Sequence, residues 1–532
     1  MLRASLLALL MATSASATLA TDSWAADPQA ALDATFARWN SDAAPGCAVG
    51  VAENGVTVAR RAWGMAELEH GIKATPDTIY EAGSVSKQFT AAAIILLAQD
   101  GALSLDDDIR RFLPEMPDYG TPITLRNLIN HTSGLRDWGS IGSLEGWPRS
   151  SRAAGNDNVL EIAARQKELN FAPGSHYLYS NTGYNLLAIV VQRASGRSLS
   201  AFTAERIFKP LGMTHSRWRD DYTAIVPGRA AAYDREADGY HEAMPFENAY
   251  GNGGLLTTVD DLLIWNQALT DDKLGVAFTE AMLQRGEVTP HRPIAYASGI
   301  VHLEHRGFEE LSHSGSTGGY RAWLARYPAQ KLSVAMLCNT GEAGSVRLGR
   351  AIADAFLPTT AATSYTPAAP APTGLYAEGR TGEPLFVATG ADGGVTADGE
   401  ALVPIGPGRW TMGADVLEFD ADGGLVRVTR EGERLPYVKR DAVTPTRAVL
   451  ADMVGAFVSD EAMSRLSVAQ TAEGLSIGRV GWPATSLTPA YHDVFTGHIG
   501  VVSFERDSAG KVTGLRINNG RAQNVLFVRQ PS

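Results

Sequence analysis

The feature that most constrains the fold of this chain is a change in composition after residue 357. Residues 358–372 are rich in Pro, Ala and Thr, a composition that favours an extended linker. Helical and strand patterns are mixed before this segment, whereas helical periodicity disappears after it. Because 532 residues also exceed what one ordinary core accommodates, the sequence predicts a mixed domain over 27–357 and β domains after the linker.

The part after the linker contains two copies of one β unit. The copies match at their first strands, at a central glycine turn and at their last strands: 374–376 with 455–457, 419–425 with 504–515, and 435–440 with 525–529. Short alternating strands with glycine turns are typical of small antiparallel barrels. We therefore predict two such barrels, of lipocalin-like type, over 373–441 and 450–532.

The part before the linker has strand signals at both ends and helix signals between them. A hairpin is predicted over 47–63, with a turn at Asn54-Gly55. Helical patterns follow Ser84 and recur at 158–166, 183–194 and 258–269, and strands are predicted at 311–315, 321–327 and 332–337. Strands from the two ends can share a sheet only if the helices pack around it. We therefore predict one mixed α/β domain.

The first 25 residues have the pattern of a secretory signal. A basic residue, Arg3, precedes an apolar stretch over 6–11 and then small residues that end at 15–17 or 23–25. A membrane anchor would need a longer apolar run, and no later segment is apolar enough to span a bilayer. We expect an exported protein, periplasmic or secreted, without a transmembrane segment.

The charge balance limits the classes of partner. The chain has 46 Lys and Arg residues against 58 Asp and Glu residues and lacks a basic run, so nucleic-acid binding has no electrostatic basis. A small-molecule or peptide substrate fits better, and the oligomeric state is not predicted.

The two cysteines, Cys47 and Cys338, exclude a disulfide scaffold and a structural zinc cluster. Cys47 opens the first predicted strand and Cys338 follows a late one, so an antiparallel pairing would allow one bridge in an exported protein. Two buried free thiols are the alternative.

Ser84 and Lys87 form the first element of a candidate active site. Their spacing of three residues places a hydroxyl and an amine on the same side of a helix start. A helix N-terminus favours negative charge on the serine, and a lysine in a dry pocket loses its proton readily enough to act as a base. An N-capping serine followed by a solvated lysine is the ordinary alternative.

Two later segments supply groups that complement this pair. Tyr179-Ser180-Asn181 offers a phenol that can relay a proton and an amide that can hold a substrate carbonyl. His313-Ser314-Gly315 lies on a predicted strand, where the Ser316 N–H can join that of Ser84 in an oxyanion hole. The structural alternative for the first segment is a loop tyrosine followed by a helix-capping Ser180 or Asn181. For the second segment it is a glycine-rich turn with a hydrogen-bonded histidine.

Two other patterns are rejected as functional sites. Residues 474–478 match the Gly-x-Ser-x-Gly nucleophile elbow but lie in a β segment, whereas the elbow needs a strand-to-helix turn. His302 and His305 lack a third ligand at metal-binding spacing. We expect neither a metal nor a cofactor.

With these motifs in place, the sequence resembles the serine β-lactamase and penicillin-binding-protein superfamily, specifically its class C-like members and D-aminopeptidases. Further matching segments are 128–135, 171–174 and 251–255. The resemblance implies an antiparallel sheet flanked by helices, an all-helical part and two C-terminal barrels. It also implies that Ser84 is the nucleophile, Lys87 the base, Tyr179 the proton relay to the leaving group and His313 the third-motif residue.

The chain departs from these relatives at two places. Class C β-lactamases carry Lys-Thr-Gly where this chain has His313-Ser314-Gly315, which replaces a fixed positive charge by a histidine. D-aminopeptidases narrow their site with a loop of the last barrel, and the matching stretch here, 496–500, is short and has no acid. We predict a hydrolase that forms an acyl-enzyme on Ser84 from an amide or ester. We expect a peptidase of D-aminopeptidase or D,D-peptidase type with a D-residue peptide as its substrate. The alternatives are an esterase or weak β-lactamase on the same site and a non-catalytic penicillin-binding sensor.

Overall fold

The structure is a computed structural model that describes residues 27–149, 151–359, 365–366, 371–390, 393–420, 422–479 and 482–531. The predicted signal segment and most of the predicted linker lie outside the described residues. The domain boundaries given above therefore stay predictions.

A six-stranded antiparallel sheet joins the two ends of the first domain. Its strands are β1 (Cys47–Glu53), β2 (Val56–Trp63), β3 (Val301–His305), β4 (Phe308–Thr317), β5 (Tyr320–Tyr327) and β6 (Leu332–Cys338). They lie in the order β3-β4-β5-β6-β1-β2, so the pairing of β1 with β6 closes the sheet between sequence-distant segments. Shorter strands lie at Met65–Glu67, Ile72–Lys73, Tyr80–Glu81, Arg217–Trp218, Tyr233–Glu236, Gly239–Glu242, Leu255–Thr257, Glu287–Val288 and Arg292–Pro293.

The pairing of β1 with β6 sets the cysteines opposite each other. Cys47 and Cys338 are register partners and form a disulfide bond with a Cα–Cα distance of 4.0 Å. Of the two alternatives left by the sequence, the structure contains the bridge.

Helices occupy both faces of the sheet and the region between β2 and β3. The α-helices are Pro28–Phe36, Lys87–Gln99, Leu125–Ile129, Trp138–Glu145, Asn156–Ala164, Asn181–Ser195, Leu199–Thr203, Lys209–Leu211, Val259–Thr270, Val276–Leu283, Ser345–Phe356 and Arg447–Asp452. One apolar core lies between one face of the sheet and the helices Lys87–Gln99 and Asn181–Ser195. A second core packs the terminal helices, Pro28–Phe36 and Ser345–Phe356, against the other face.

Helix starts show where the sequence prediction was accurate and where it was not. The Thr258 side chain accepts from the Asp261 N–H at 3.3 Å, as the capping-box spacing indicated. The helix predicted at 158–166 begins instead at Asn156, because the Asn158 side chain accepts from the N–H of Gly155 at 3.0 Å and fixes the cap there. The helix predicted from 183 begins at Asn181, which brings that residue into helical geometry.

Two closed barrels of eight antiparallel strands each follow the first domain, as the repeat predicted. The first contains Gly374–Glu378, Pro384–Thr389, Val395–Ala397, Glu400–Gly406, Arg409–Met412, Asp415–Phe419, Leu425–Val428 and Arg434–Arg440. The second contains Gly455–Ser459, Ser464–Gln470, Leu475–Arg479, Thr485–Tyr491, Val494–Gly497, Gly500–Arg506, Val512–Asn519 and Ala522–Arg529. A short helix, Arg447–Asp452, precedes the second barrel, and the composition of the tail did not indicate it.

The second barrel shares a core with the first domain. Trp138, Ile141 and Leu144 belong to the same buried apolar cluster as the barrel interior. Buried Arg136 donates to the Glu461 carboxylate at 2.8 Å and to the Gln523 carbonyl at 3.2 Å.

Along the part of the chain described here, no helix combines the length and apolar character that crossing a membrane requires.

Candidate active site

Ser84 lies in a tight turn that the central sheet holds in place. The turn, Gly83–Ser86, is a 3-10 helix directly before the helix Lys87–Gln99, so Ser84 precedes the α-helix rather than starting it. Gly83 has φ +51°, and a Cβ there would lie 2.5 Å from the Ser316 nitrogen. A Cβ on Gly315 would lie 2.0 Å from the Ala82 carbonyl oxygen. Glycine at both positions therefore lets the turn pack directly against β4.

Lys87 contacts Ser84 and two hydrogen-bond acceptors. Its Nζ is 3.2 Å from Ser84 Oγ, 2.9 Å from Asn181 Oδ1 and 2.6 Å from the Asn252 carbonyl oxygen. A neutral amine has two N–H donors and one lone pair. The two acceptors use the donors, so the lone pair can accept the Ser84 hydroxyl proton, which is the arrangement a general base requires.

The surroundings of Lys87 favour this neutral form. The side chain is fully buried, and burial lowers its pKa well below the ordinary value; the positive charges of Arg521 and Arg149 lower it further, while Asp137 opposes them. Desolvation disfavours the charged form because the amine loses its water.

Tyr179 lies beside the same pair. Its ring centroid is 4.7 Å from Lys87 Nζ, and its hydroxyl is buried without a well-formed hydrogen bond. Burial raises the pKa of Tyr179 to about 12, a rise that the neighbouring Ser84 hydroxyl limits. The phenol is therefore protonated at neutral pH and positioned to donate.

His313 is held as a neutral ring on β4. Its Nδ1 is 2.6 Å from the Ser314 carbonyl oxygen and therefore donates to it, and its Nε2 accepts from the Tyr296 hydroxyl at 3.1 Å. Burial, aided by Lys87, lowers the pKa of His313 to about 3. The third motif thus supplies a hydrogen-bonding ring and no charge.

The three predicted substrate-binding residues surround the nucleophile. The Asn181 amide contacts Lys87, while its backbone N–H donates to Asp137 Oδ2 at 2.7 Å. Gly315 packs under the nucleophile turn, and exposed Ser316 follows it. The Ser316 nitrogen would lie 2.5 Å from a Cβ on Gly83, so it adjoins the nucleophile turn. An oxyanion hole formed by the N–H groups of Ser84 and Ser316 stays a prediction.

Sequence reasoning did not assign roles to an aromatic cluster behind these groups. The His131 ring centroid is 4.2 Å from that of Tyr179 and 4.7 Å from that of Tyr296, and its Nδ1 accepts from the Ser180 N–H at 3.2 Å. Burial lowers the pKa of His131 well below its ordinary value. The segments 128–135 and 251–255, quoted above for their resemblance, contained His131 and Asn252 and could have signalled both.

Two turns from the barrels also reach the site, and nothing in the sequence indicated them. Arg521, in the last barrel, lies with its guanidinium carbon 4.7 Å from the Tyr179 ring centroid. In the first barrel, the Glu431 carbonyl accepts from the Ala295 N–H at 2.8 Å, and Glu433 is 2.7 Å from His176 Nδ1. The stretch 496–500 lies elsewhere: its residues His498 and Ile499 line a cavity with Ser143.

The rejected patterns lie outside this site. Ser476 is in the middle of the barrel strand Leu475–Arg479, so it lacks the strand-to-helix turn of a nucleophile elbow. His302 and His305 point to opposite faces of β3, since they are three residues apart on a strand. His305 Nε2 is 2.8 Å from Asp354 Oδ1, whereas His302 is partly buried and its pKa falls to about 4.

A serine hydroxyl beside a buried amine, with a phenol and a buried histidine around it, is the arrangement of groups found in a serine hydrolase. Over residues 30–357 the chain matches the Beta-lactamase family, and it belongs to that family. A D-aminopeptidase of Cereibacter sphaeroides (strain KD131 / KCTC 12085) is 28% identical over 524 residues, covering 91% of this chain and 96% of that protein.

Solved structures share the fold. SurE covers 94% of this chain and 99% of its own length at 20% identity, with a TM-score of 0.54. The D-amino acid amidase from Ochrobactrum anthropi SV3 covers 62% of this chain and 96% of its own length at 22% identity, with a TM-score of 0.53. The protein is therefore a serine hydrolase of the β-lactamase fold extended by two barrels.

Proposed function

We propose that this enzyme hydrolyses amide bonds of D-amino acid peptides or amides through an acyl-enzyme on Ser84. Ser84 Oγ attacks the carbonyl carbon while its proton passes to Lys87 Nζ. The N–H groups of Ser84 and Ser316 stabilise the negative charge on the carbonyl oxygen. The C–N bond then breaks as the Tyr179 hydroxyl gives its proton to the leaving amine, and the Lys87 ammonium returns a proton to Tyr179. Water hydrolyses the ester and Ser84 regains its proton.

The observation that carries this proposal is the set of contacts around Lys87. The Asn181 side chain and the Asn252 carbonyl accept from the Lys87 amine, and Ser84 Oγ lies 3.2 Å from the same Lys87 Nζ atom. The substrate class is supported by the relative named D-aminopeptidase and by the fold shared with a D-amino acid amidase.

The test is intact-mass analysis of the protein and its Ser84→Ala variant with D-alanyl amides, simple esters and a penicillin. We expect an adduct of the acyl mass, or turnover of D-alanyl amides, that disappears in Ser84→Ala. An adduct of equal yield in the variant would exclude Ser84 as the nucleophile. A stoichiometric penicillin adduct without turnover of any amide would favour the sensor alternative.

A carboxylesterase is the second candidate, and the neutral His313 favours it. Because His313 carries no positive charge at neutral pH, the site beside β4 does not require a negatively charged group on the substrate, and an uncharged acyl group can bind there. p-Nitrophenyl esters cleaved at least 100-fold faster than D-alanyl anilides would favour the esterase.

We infer that the enzyme acts outside the cytoplasm. The secretory pattern of residues 1–25 and the Cys47–Cys338 disulfide support this inference, because disulfides persist in oxidising compartments. Fractionation of cells that produce the full chain tests it, with recovery in the cytoplasmic fraction as the opposing result.

A further inference from the structure

Arg521 occupies a position in the active site that the reaction described above does not use. It is in the two-residue turn Gly520-Arg521 between the last two strands of the second barrel. The Arg521 carbonyl accepts from Asn170 Nδ2 at 3.0 Å, and its N–H donates to Ser140 Oγ at 3.1 Å. The first domain therefore fixes the backbone of this turn at the rim of the site.

The Arg521 side chain extends from this anchored turn over the catalytic residues. Its guanidinium carbon is 4.7 Å from the Tyr179 ring centroid, and the same ring is 4.7 Å from Lys87 Nζ. A guanidinium stacked on an aromatic face is oriented by that contact. Arg521 is thus a positioned cation close to the atoms that react.

The donors of Arg521 are available to a ligand. Within the described part of the chain its guanidinium makes no hydrogen bond, and its closest carboxylate oxygen, on Asp137, is 3.9 Å away. Asp137 already accepts from the backbone N–H groups of Asn181 and Gly139. The Arg521 side chain is 45% exposed, in contrast to buried Arg136, which is bonded to Glu461.

The other basic groups near the nucleophile do not offer a comparable charge. Burial disfavours the charged form of Lys87 by lowering its pKa well below the ordinary value, and it lowers the pKa of His313 to about 3. Arg149 is bonded to the buried Glu247 carboxylate, and Arg430, on the turn of the first barrel, is paired with Glu431 at 3.3 Å. Among these groups Arg521 combines a fixed charge with free donors in the geometry that matches a carboxylate.

We propose that Arg521 binds a carboxylate on the leaving-group side of the scissile bond, so that the preferred substrates are peptides whose leaving amine is an amino acid with a free α-carboxylate. The assignment rests on the proposed function, because Tyr179, against which Arg521 stacks, is the group that protonates the leaving amine there. The barrel turn at Gly520-Arg521 thereby selects dipeptide-like substrates over simple amides.

The first experiment compares D-alanyl-D-alanine with D-alanyl-D-alaninamide, which differ only in the carboxylate, at a pH on the plateau of the activity profile. We expect the wild type to favour the dipeptide by about 10- to 100-fold in kcat/KM, as a charge-assisted contact provides. Arg521→Gln should remove this preference by raising KM for the dipeptide, whereas KM for the amide should stay the same. Arg521→Lys should keep part of it, and Arg465→Gln, an exposed arginine of the same barrel, should keep all of it.

Equal wild-type rates on the two substrates would overturn the assignment and leave the proposed function intact. A loss of the same size on both substrates in Arg521→Gln would show a structural role instead.

A second experiment measures ligand binding independently of turnover, through the protection of Ser84 from labelling by a fluorophosphonate probe. D-alanine should slow labelling of the wild type more than D-alaninamide does, and Arg521→Gln should abolish this difference between the two ligands. Equal protection, or none, would also overturn the assignment. Failure of the probe to label Ser84 at all would count against the proposed function, which keeps the two failures distinct.

Discussion

At the scale of single residues, the chemistry of the site depends on the protonation of Lys87. A buried amine with two acceptors and one hydroxyl as neighbours functions as a base only in its neutral form. Arginine at this position would retain donors but could not accept a proton.

We expect Lys87→Arg and Lys87→Met to reduce the acylation rate to the same extent, by about 10²- to 10⁴-fold. The measurement is the rate of fluorophosphonate labelling of Ser84, with far-ultraviolet circular dichroism as the control for folding. Retention of a tenth or more of the rate in Lys87→Arg would mean that another group takes the proton.

The charge of Arg521 should shift the pH dependence of the reaction. Its positive charge contributes to the low pKa of Lys87, so its removal relieves repulsion of the ammonium form and raises that pKa. The acid limb of kcat/KM on a neutral substrate should therefore move to higher pH in Arg521→Gln and stay in place in Arg521→Lys. An unchanged limb in Arg521→Gln would show that the two charges do not interact.

At the scale of secondary-structure elements, the site depends on the close contact between β4 and the nucleophile turn. Gly315→Ala places a methyl group 2.0 Å from the Ala82 carbonyl oxygen, so the strand and the turn must separate. We expect a loss of about 1–3 kcal/mol in the free energy of unfolding and a loss of Ser84 labelling by more than 10-fold. Gly406→Ala, where nothing lies nearer than 4.0 Å, is the control for the added methyl group. Normal labelling in Gly315→Ala would contradict the requirement for this contact.

The disulfide joins β1 to β6 across 291 residues of sequence. Because a cross-link over a long loop restricts the unfolded chain strongly, the double variant Cys47→Ala/Cys338→Ala should lose about 2–4 kcal/mol of stability. Chemical denaturation with and without reductant measures this loss. Reductant should destabilise the wild type and leave the variant unchanged. Equal stability of the wild type and the variant without reductant would argue against the bridge.

At the scale of the whole molecule, the barrels are integrated with the hydrolase domain. Arg136 and Glu461 form an ion pair across the interface, with side-chain exposures of 0% and 6%. The barrel turns at Glu431 and Arg521 reach the site from this docked position. Residues of all three domains therefore lie at or beside the site.

We expect Glu461→Gln to destabilise the protein by about 3 kcal/mol, because it removes the buried counter-charge of Arg136 and leaves only the half-exposed Glu168 carboxylate, 3.7 Å away. The neighbouring pair of Asp460 with Lys167 is exposed, so Asp460→Asn should cost less than about 1 kcal/mol. Thermal unfolding of the three proteins gives the comparison. Equal effects of the two substitutions would mean that the interface tolerates the buried charge.

The sequence by itself determined several of the helices and strands of the first domain and the order of the domains, because periodicity, caps and turn residues act over a few positions. It predicted the hairpin at 47–63, the repeated barrels and the residues Ser84, Lys87, Tyr179 and His313, whose motifs are local. The tertiary structure decided what depends on contacts between distant segments. The pairing of β1 with β6 made the disulfide, burial lowered the pKa values of Lys87 and His313, and docking of the second barrel placed Arg521 beside Tyr179. No local pattern encodes these results, since each depends on the packing of segments far apart in the chain.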